Sequence, residues 1–322
     1  MAQNAAALDA LLRRVSGGGA PAPADLTALE RQIAADPATA VLRAADLEPV
    51  GAQGRAELLR RVAGWAPHLE LEVAGHRVQA VIEPAELWRF YLPIAQGLLA
   101  KAQGRVGRVV AGVTGPGAAG KSVFALIVQG LLDALGCRAA VCPQDGFHYP
   151  NAYLDSHTIL DAQGRLAPLR TVKGAPPSYD LDGFLDVLRG IRAGQAVEAP
   201  RYDRRLHDPV PGGIRIGPEH RVVRVEGNDL LLEEGRWAEG AALLDLSIFL
   251  EQPMEAAREA MVRRFVAGGR TEQDARARYD QVDRANYELI VTTAGRADLI
   301  VERTADQRIR ALRRGFDSAR PL

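Results

Sequence analysis

The chain has 322 residues, 47% of them apolar and 25% charged, and forty basic residues balance forty acidic ones. This suits one large or two modest globular domains; neutrality gives no global signature for nucleic acid or an anionic membrane surface, and no apolar run reaches the roughly 18 residues of a membrane span. The start, Met1-Ala2-Gln3-Asn4, lacks the basic-then-apolar layout of a signal peptide, and the two cysteines, Cys137 and Cys142, read as buried thiols in or beside a core strand rather than as a disulfide or a zinc site, so a reducing cytoplasm is the expected compartment.

Residues 5–15 read as a short helix. Ser16-Gly17-Gly18-Gly19-Ala20-Pro21-Ala22-Pro23 has the composition of a flexible linker. Asp25 is the expected N-cap of a helix over 26–35, which Pro37 stops, and a further helical stretch covers 55–65. Alternating residues at 69–73 and 77–82 flank Ala74-Gly75-His76 and predict a small hairpin. A helix over 86–101 is expected to be interrupted near Pro93. Residues 1–100 thus read as a mainly helical N-terminal extension without a catalytic pattern. Solvated helices and a partner-docking or homodimer surface are its two readings.

Over 101–322 strands alternate with helices, the signature of a parallel α/β sheet flanked by helices. Strands are predicted at 108–113, 136–142, 221–227, 244–250 and 299–301, and helices at 122–132, 180–192, 255–268 and 271–290, the last capped by Thr271. Residues 200–209 read as a polar loop, and the arginine-rich stretch 308–320 as a frayed, solvated helix.

Between the first of these strands and its helix lies Gly115-Pro116-Gly117-Ala118-Ala119-Gly120-Lys121-Ser122, which fits the phosphate-cradling pattern G-x-x-x-x-G-K-[ST]. Glycines let backbone N–H groups turn inward around an anion, and the start of the following helix favours negative charge. Gly115, Gly117, Ala118, Ala119, Gly120, Lys121, Ser122 and Val123 are therefore candidate ATP-binding residues. Lys121 would reach the β- and γ-phosphates, and Ser122 would ligate Mg2+.

In open parallel sheets ligands bind beyond the carboxyl ends of the strands. Asp145 lies there, one strand on from the P-loop. It is read as the base that takes a proton from an attacking hydroxyl, with Mg2+ binding or capping of the Gly146 turn as alternatives. Glu226 ends the next strand and is the candidate second metal-side residue; a salt bridge to a helix is its alternative. Arg258, Arg263 and Arg264 fall within two helical turns before Ala267-Gly268-Gly269 and suit a lid closing over ATP; a solvated charge run is the other reading. Arg201, Tyr202, Arg204, Arg205, His207 and Asp208 crowd one loop, which suggests substrate recognition, with Asp203–Arg205 surface ion pairing as the alternative; His148 and His207 read either as ligand contacts or as ordinary hydrogen-bonded histidines.

These motifs together resemble the phosphoribulokinase/uridine kinase group of P-loop kinases. Within it the chain looks most like bacterial type I pantothenate kinase and its uncharacterised nucleoside-kinase-like relatives. The likeness runs from Tyr91-Leu92-Pro93-Ile94 to the final strand. It rests on the P-loop, Asp145-Gly146-Phe147-His148-Tyr149-Pro150-Asn151, Lys173-Gly174-Ala175-Pro176-Pro177-Ser178-Tyr179-Asp180, Ala199-Pro200-Arg201-Tyr202, Val225-Glu226-Gly227-Asn228 and Arg263-Arg264-Phe265. The resemblance implies a P-loop NTPase fold with a lid helix, and transfer of the γ-phosphoryl group of ATP, with Mg2+, to a hydroxyl of a nucleoside-, pantothenate- or sugar-like acceptor. A nucleotide-dependent regulatory NTPase is the alternative. The resemblance implies Asp145 as the catalytic aspartate and Tyr202, Arg264 and Asn286 as acceptor contacts; with the readings above, Asp145, Lys121 and Arg264 form the expected catalytic set, and His148, Tyr149, Arg204 and His207 join Tyr202 and Asn286 on the acceptor side. Family members are commonly homodimers. Arg204 stands where pantothenate kinases carry a histidine, and Met261 where they carry a tyrosine. The run Tyr202-Asp203-Arg204-Arg205-Leu206-His207-Asp208 is similar to the Tyr-Asp…His run of uridine kinases, and its arginines suit an anionic acceptor.

Overall fold

The computed structural model describes residues 2–48, 50–73, 76–161 and 164–316. Four helices come first: α1 (Ala2–Ser16), α2 (Pro23–Ala35), α3 (Pro37–Ala44) and α4 (Ala52–Arg61). The expected flexible linker is a closed turn instead. The Gly17 and Gly19 N–H groups each donate over 3.0 Å to the carbonyls of Arg13 and Arg14, and the Asp25 carboxylate accepts from the Ala22 N–H at 2.8 Å and pairs with Arg14. Asp25 is accordingly the third residue of α2 rather than its cap. Pro37, expected only to stop α2, also opens α3, with Asp36 as cap accepting from the Ala38 N–H at 3.1 Å.

Strands β1 (His68–Val73) and β2 (His76–Val81) form the expected hairpin, whose turn at 74–75 lies outside the described residues. Then α5 (Pro84–Glu86), a π-turn at Leu87–Tyr91 and α6 (Leu92–Gln103) run on as one helix. The interruption expected near Pro93 is this π-turn: the Leu92 N–H reaches back to the Leu87 carbonyl, and Pro93, which has no N–H to satisfy, follows in the first turn of α6.

The remaining elements are β3 (Val109–Thr114), α7 (Lys121–Ala134), β4 (Ala139–Pro143), α8 (Asn151–Ser156), β5 (Thr158–Leu160), β6 (Leu166–Pro168), α9 (Leu181–Arg192), β7 (Val197–Asp203), β8 (Asp208–Ile216), β9 (Val222–Glu226), α10 (Trp237–Ala242), β10 (Leu246–Glu251), α11 (Met254–Ala267), α12 (Glu272–Arg278), α13 (Arg284–Val291), β11 (Leu299–Arg303) and β12 (Ile309–Arg313). The central sheet has the order β12-β11-β10-β3-β9-β4, and every pairing is parallel except β11 with β12. The phosphate-loop strand β3 is therefore central, flanked by β9 and β10.

Two stretches fold otherwise than their sequence predicts. The polar loop at 200–209 is the end of a two-stranded ribbon, β7 against β8, turning at Arg204–His207. Its prolines and charges hide the strands, and Pro200 and Pro209 are tolerated because each strand has a free edge. The arginine-rich stretch is not a frayed helix at its start: residues 309–313 form the edge strand β12, and residues 317–322 lie outside the described residues. Arginine has good helix propensity, but here Arg310 and Arg313 pair with Glu302 and Glu251 across the strands, a charged edge of the kind that discourages further pairing.

Each sheet face carries a core. On one, Leu12, Leu29, Leu42 and Leu59 of the first helices join Trp88 and Leu92, Phe124 and Leu131 of α7, and Val113, Leu250 and Val301 of the sheet. On the other, Phe184, Leu188 and Ile191 of α9 cover Val110, Val223, Phe249 and Ile300. Burying side chains of this size stabilises by about 1.5–3 kcal/mol each, so α7, whose first turn presents Lys121 and Ser122, is held rigidly on the sheet. Among the described residues no helix is long and apolar enough to cross a membrane.

Candidate active site

The site lies at the carboxyl ends of β3, β9 and β4. Strand β3 is wholly buried, and the chain leaves it at Gly115 with φ +140°. A side chain at this position would place its Cβ 2.5 Å from the Leu250 carbonyl oxygen, so glycine is required by both conformation and space. The loop then turns through Ala118, a non-glycine residue at φ +60°, and Gly120 at φ +81° into α7. Two side chains brace it, one from the last residue of β11 and one from the turn that leads to β12. Arg303 donates to the Ala119 carbonyl at 2.7 Å, and the Gln307 amide donates to the Ala118 carbonyl at 3.0 Å. With those carbonyls tied back, the loop's N–H face is left for an anion.

Lys121 Nζ donates to the carbonyls of Gly115 and Pro116, both at 2.9 Å. Burial pushes its amine down to about 8, although Asp145 and Glu226 pull the other way. Ser122 Oγ donates to Glu226 Oε1 at 3.0 Å, and Glu226 Oε2 is buried without a hydrogen-bond partner. Burial raises the Glu226 carboxyl above its ordinary value, against the Ser122 bond. A hydroxyl and an acidic oxygen with an open lone pair are a donor set that fits a hard divalent cation.

Asp145 sits in the short turn Gln144–Phe147 that follows β4. Burial would raise its carboxyl, but His148, Arg204, Arg264 and Lys121 hold it below the ordinary value, so it stays ionised. Arg204 pairs with it, Nη2 standing 3.9 Å from Asp145 Oδ2. Arg264, on the exposed side of α11, contributes to the field at both Lys121 and Asp145. The structure thus gathers Lys121, Ser122, Asp145, Arg204, Glu226 and Arg264 around one cleft.

The aromatic wall is built from His148, Tyr179 and Tyr202. The His148 ring lies 4.0 Å from that of Tyr179 and 5.3 Å from that of Tyr202, and its Nδ1 is 2.8 Å from the Asp145 carbonyl oxygen. Burial pushes the His148 imidazole down, towards its neutral form, and burial pushes the Tyr202 phenol up to about 12. The other anticipated residues fall less centrally. Tyr149 stacks on Tyr153 at 4.2 Å. His207 is exposed at the hairpin turn, and its carbonyl rather than its ring is engaged, accepting from Lys173 and Asn151. Arg258 is occupied by Asp280, Glu255 and Glu259 within the lid, and Arg263 is exposed on the same helix. Asn286 is half-buried on α13, one residue before Tyr287, whose hydroxyl donates to the Gln252 carbonyl.

Three features escaped reading as site residues. Lys173 Nζ is 2.7 Å from both Asn151 Oδ1 and the His207 carbonyl, and lies 5.2 Å from the Tyr202 ring centre; burial pushes its amine down to about 8. A signal was available, because the chain has only three lysines among its forty basic residues. Lys121 and Lys173 are two of them, in a chain that otherwise meets its need for cations with arginine. The Arg303–Gln307 brace and a buried pair, Gln144 with Asp229, depend on distant contacts and left no local signal.

Residues 110–310 match the model of the family described as Phosphoribulokinase / Uridine kinase family. Over 243 residues the chain is 34% identical to the uncharacterized protein YggC of Escherichia coli, a match covering 74% of this chain and 97% of that one. It is 28% identical over 243 residues to the pantothenate kinase of Enterococcus faecalis, covering 68% of this chain and 76% of that one. Among solved structures it is similar in fold to D-glycerate 3-kinase from Cryptococcus neoformans, with a TM-score of 0.52 at 14% identity, covering 69% of this chain and 97% of that one. The phosphate loop, the carboxylate beyond the next strand and the family match converge: the chain belongs to the phosphoribulokinase/uridine kinase family and is an ATP-dependent kinase.

Proposed function

We propose that this kinase transfers the γ-phosphoryl group of ATP to a hydroxyl of a small nucleoside-, pantothenate- or sugar-like molecule, with Asp145 as the base. One observation carries the reading: the Asp145 carboxylate stands just beyond the end of β4 with Arg204 Nη2 3.9 Å from its Oδ2, in a field of His148, Arg204, Arg264 and Lys121 that holds it below its ordinary value. A carboxylate held below its ordinary value cannot be a general acid at neutral pH, but it can orient an acceptor hydroxyl and receive its proton. As the acceptor oxygen bonds to the γ-phosphorus, the bond to the β,γ-bridging oxygen breaks, ADP leaves, and the proton passes to Asp145 and then to solvent.

Lys121 and Arg264 would neutralise charge on the transferring group. Lys121 would do so by giving up its two carbonyl partners for phosphate oxygens. Ser122 and Glu226 would hold Mg2+, and the buried, unpartnered Glu226 Oε2 supports that role. When bound, that ion supplies charge neutralisation at the β- and γ-phosphates. His148, Tyr202, Arg204 and Lys173 would line the acceptor side, with Tyr149, His207 and Asn286 as outer contacts; Arg258 and Arg263 would serve lid closure. We place the kinase core at 101–322, with residues 1–100 as an extension, and its site of action in the cytoplasm.

The test is incubation with ATP, Mg2+ and pools of nucleosides, pantothenate, sugars and sugar phosphates, followed by mass spectrometry. Gain of one phosphoryl group by one chemical class is the expected result. ATP turnover with phosphate release and no phosphorylated product across all pools would support a regulatory NTPase instead.

A further inference from the structure

Gln144 and Asp229 are, respectively, 0% and 1% exposed, and both lie next to the reactive cleft. They meet through two reciprocal hydrogen bonds. Gln144 Nε2 donates to Asp229 Oδ2 at 2.7 Å, and the Asp229 backbone N–H donates to Gln144 Oε1 at 3.2 Å. Gln144 immediately precedes Asp145, and Asp229 follows Glu226 by three residues. Between them lies Gly227, where a Cβ would come within 2.0 Å of Gln144 Oε1. The Gln144 amide therefore lies flat across the backbone that leaves β9, and no larger residue leaves room for it.

The same segment is tied to the phosphate-loop strand. The Gly227 N–H donates to the Val113 carbonyl at 3.1 Å, and Thr114 Oγ1 donates to the Asn228 carbonyl at 2.8 Å. Glu226 is itself in register with Val113 on one side and Pro143 on the other. On its far side the turn is pinned as well: at Gly146 a Cβ would stand 2.0 Å from the Pro200 carbonyl oxygen. Residues 227–229 thus join three strand ends, bearing the phosphate loop, Glu226 and Asp145. Of the bonds named, Gln144 Nε2 to Asp229 Oδ2 is the one that joins two side chains.

We propose that Gln144 and Asp229 are positioning residues for phosphoryl transfer, their paired hydrogen bonds fixing the turn that bears Asp145 against the strand end that bears Glu226. The proposal rests on the kinase reading above, in which these two carboxylates serve the acceptor and the metal. Misplacement of a reacting group by about 1 Å can cost a hundredfold in rate. Without its partner, the turn keeps its place in the fold through backbone bonds but loses the side-chain contact that sets its distance from β9.

The test compares Gln144→Leu, Asp229→Ala and Asp229→Asn with Asp145→Asn and the unaltered full chain. Turnover of MgATP is measured with water as acceptor and with any hydroxyl compound the panel returns, and thermal melting reports folding. Gln144→Leu and Asp229→Ala should lower kcat by about ten- to a hundredfold, with the KM for ATP held within threefold of the original. Asp229→Asn keeps an acceptor oxygen for Gln144 and should recover most of the loss seen in Asp229→Ala. If Asp145→Asn is slow while Gln144→Leu and Asp229→Ala stay within twofold of the unaltered chain, per folded molecule, the positioning role is overturned and the kinase reading stands. If Asp229→Asn is as slow as Asp229→Ala, the hydrogen-bond argument is overturned. If Asp145→Asn itself keeps its rate, the assignment of the base and the positioning role fall together.

Discussion

Asp229 makes a test of the electrostatics that needs no substrate. Burial pushes its carboxyl from an ordinary 3.8 up to about 7; the Gln144 bond and Lys121 oppose this, and Asp145 adds to it. The titratable groups that sense it are Lys121, Asp145 and Tyr179. The folded chain therefore keeps a proton on Asp229 between about pH 4 and 7 that the unfolded chain has released. Stability must fall as pH rises through that window, because the folded state binds more protons there, and must level off above it. At about 1.4 kcal/mol per pH unit, the full interval amounts to about 4 kcal/mol. Asp229→Asn removes the titration while keeping the shape. Relative to the variant, the unaltered chain should lose stability from pH 4 to 7, by up to about 8 °C in melting temperature at about 2 °C per kcal/mol. The assay is paired thermal melts of both proteins, without nucleotide or Mg2+, at half-unit steps from pH 4 to 9. Melting curves that stay parallel across the range would refute the reasoning, showing that Asp229 ionises in the folded chain as readily as in water.

Four further outcomes are expected. Lys121, held down to about 8, should regain a full charge beside phosphate, so ATP binding at pH 9 should take up about one proton, seen by calorimetry in buffers of different ionisation enthalpy; Lys121→Ala should abolish the uptake and cut turnover by about a hundredfold or more. Asp145→Asn should bind MgATP normally by calorimetry yet lose transfer, whereas lost binding would make the aspartate a metal or structural residue. Glu226→Gln should leave melting nearly unchanged but shift the Mg2+ dependence of turnover to at least about tenfold higher concentration. Arg303→Ala removes the donor to the Ala119 carbonyl; an orphaned buried acceptor costs about 1–3 kcal/mol, which melting should register along with weaker protection by MgADP.

Much of this enzyme was legible in the chain alone, because a phosphate loop is a local device. Gly115 to Ser122 needs only a strand, a turn free of side chains and a helix start, all contiguous in sequence, and Asp145 and Glu226 stand out as candidates because they lie at the ends of recognisable strands. The ribbon at 197–216 and the edge strand at 309–313 were not. Proline and arginine blur local propensity there, and pairing across the strands decides the outcome. The glycine-rich link after α1 looked flexible by composition, and only its contacts with Asp25 and the helix end close it.

Local sequence specifies the phosphate loop, the alternation of strand and helix, and the residue types available for phosphoryl transfer, since each of these depends on neighbours a few positions apart. Tertiary structure alone decided which charges share the cleft. Arg264 and Arg204 face Asp145 from elements 119 and 59 residues away, Arg303 reaches the loop from 184 residues away, and Gln144 meets Asp229 across 85. Charge strength and proton affinity depend on burial and on distance through space, and neither is encoded in any short stretch of chain.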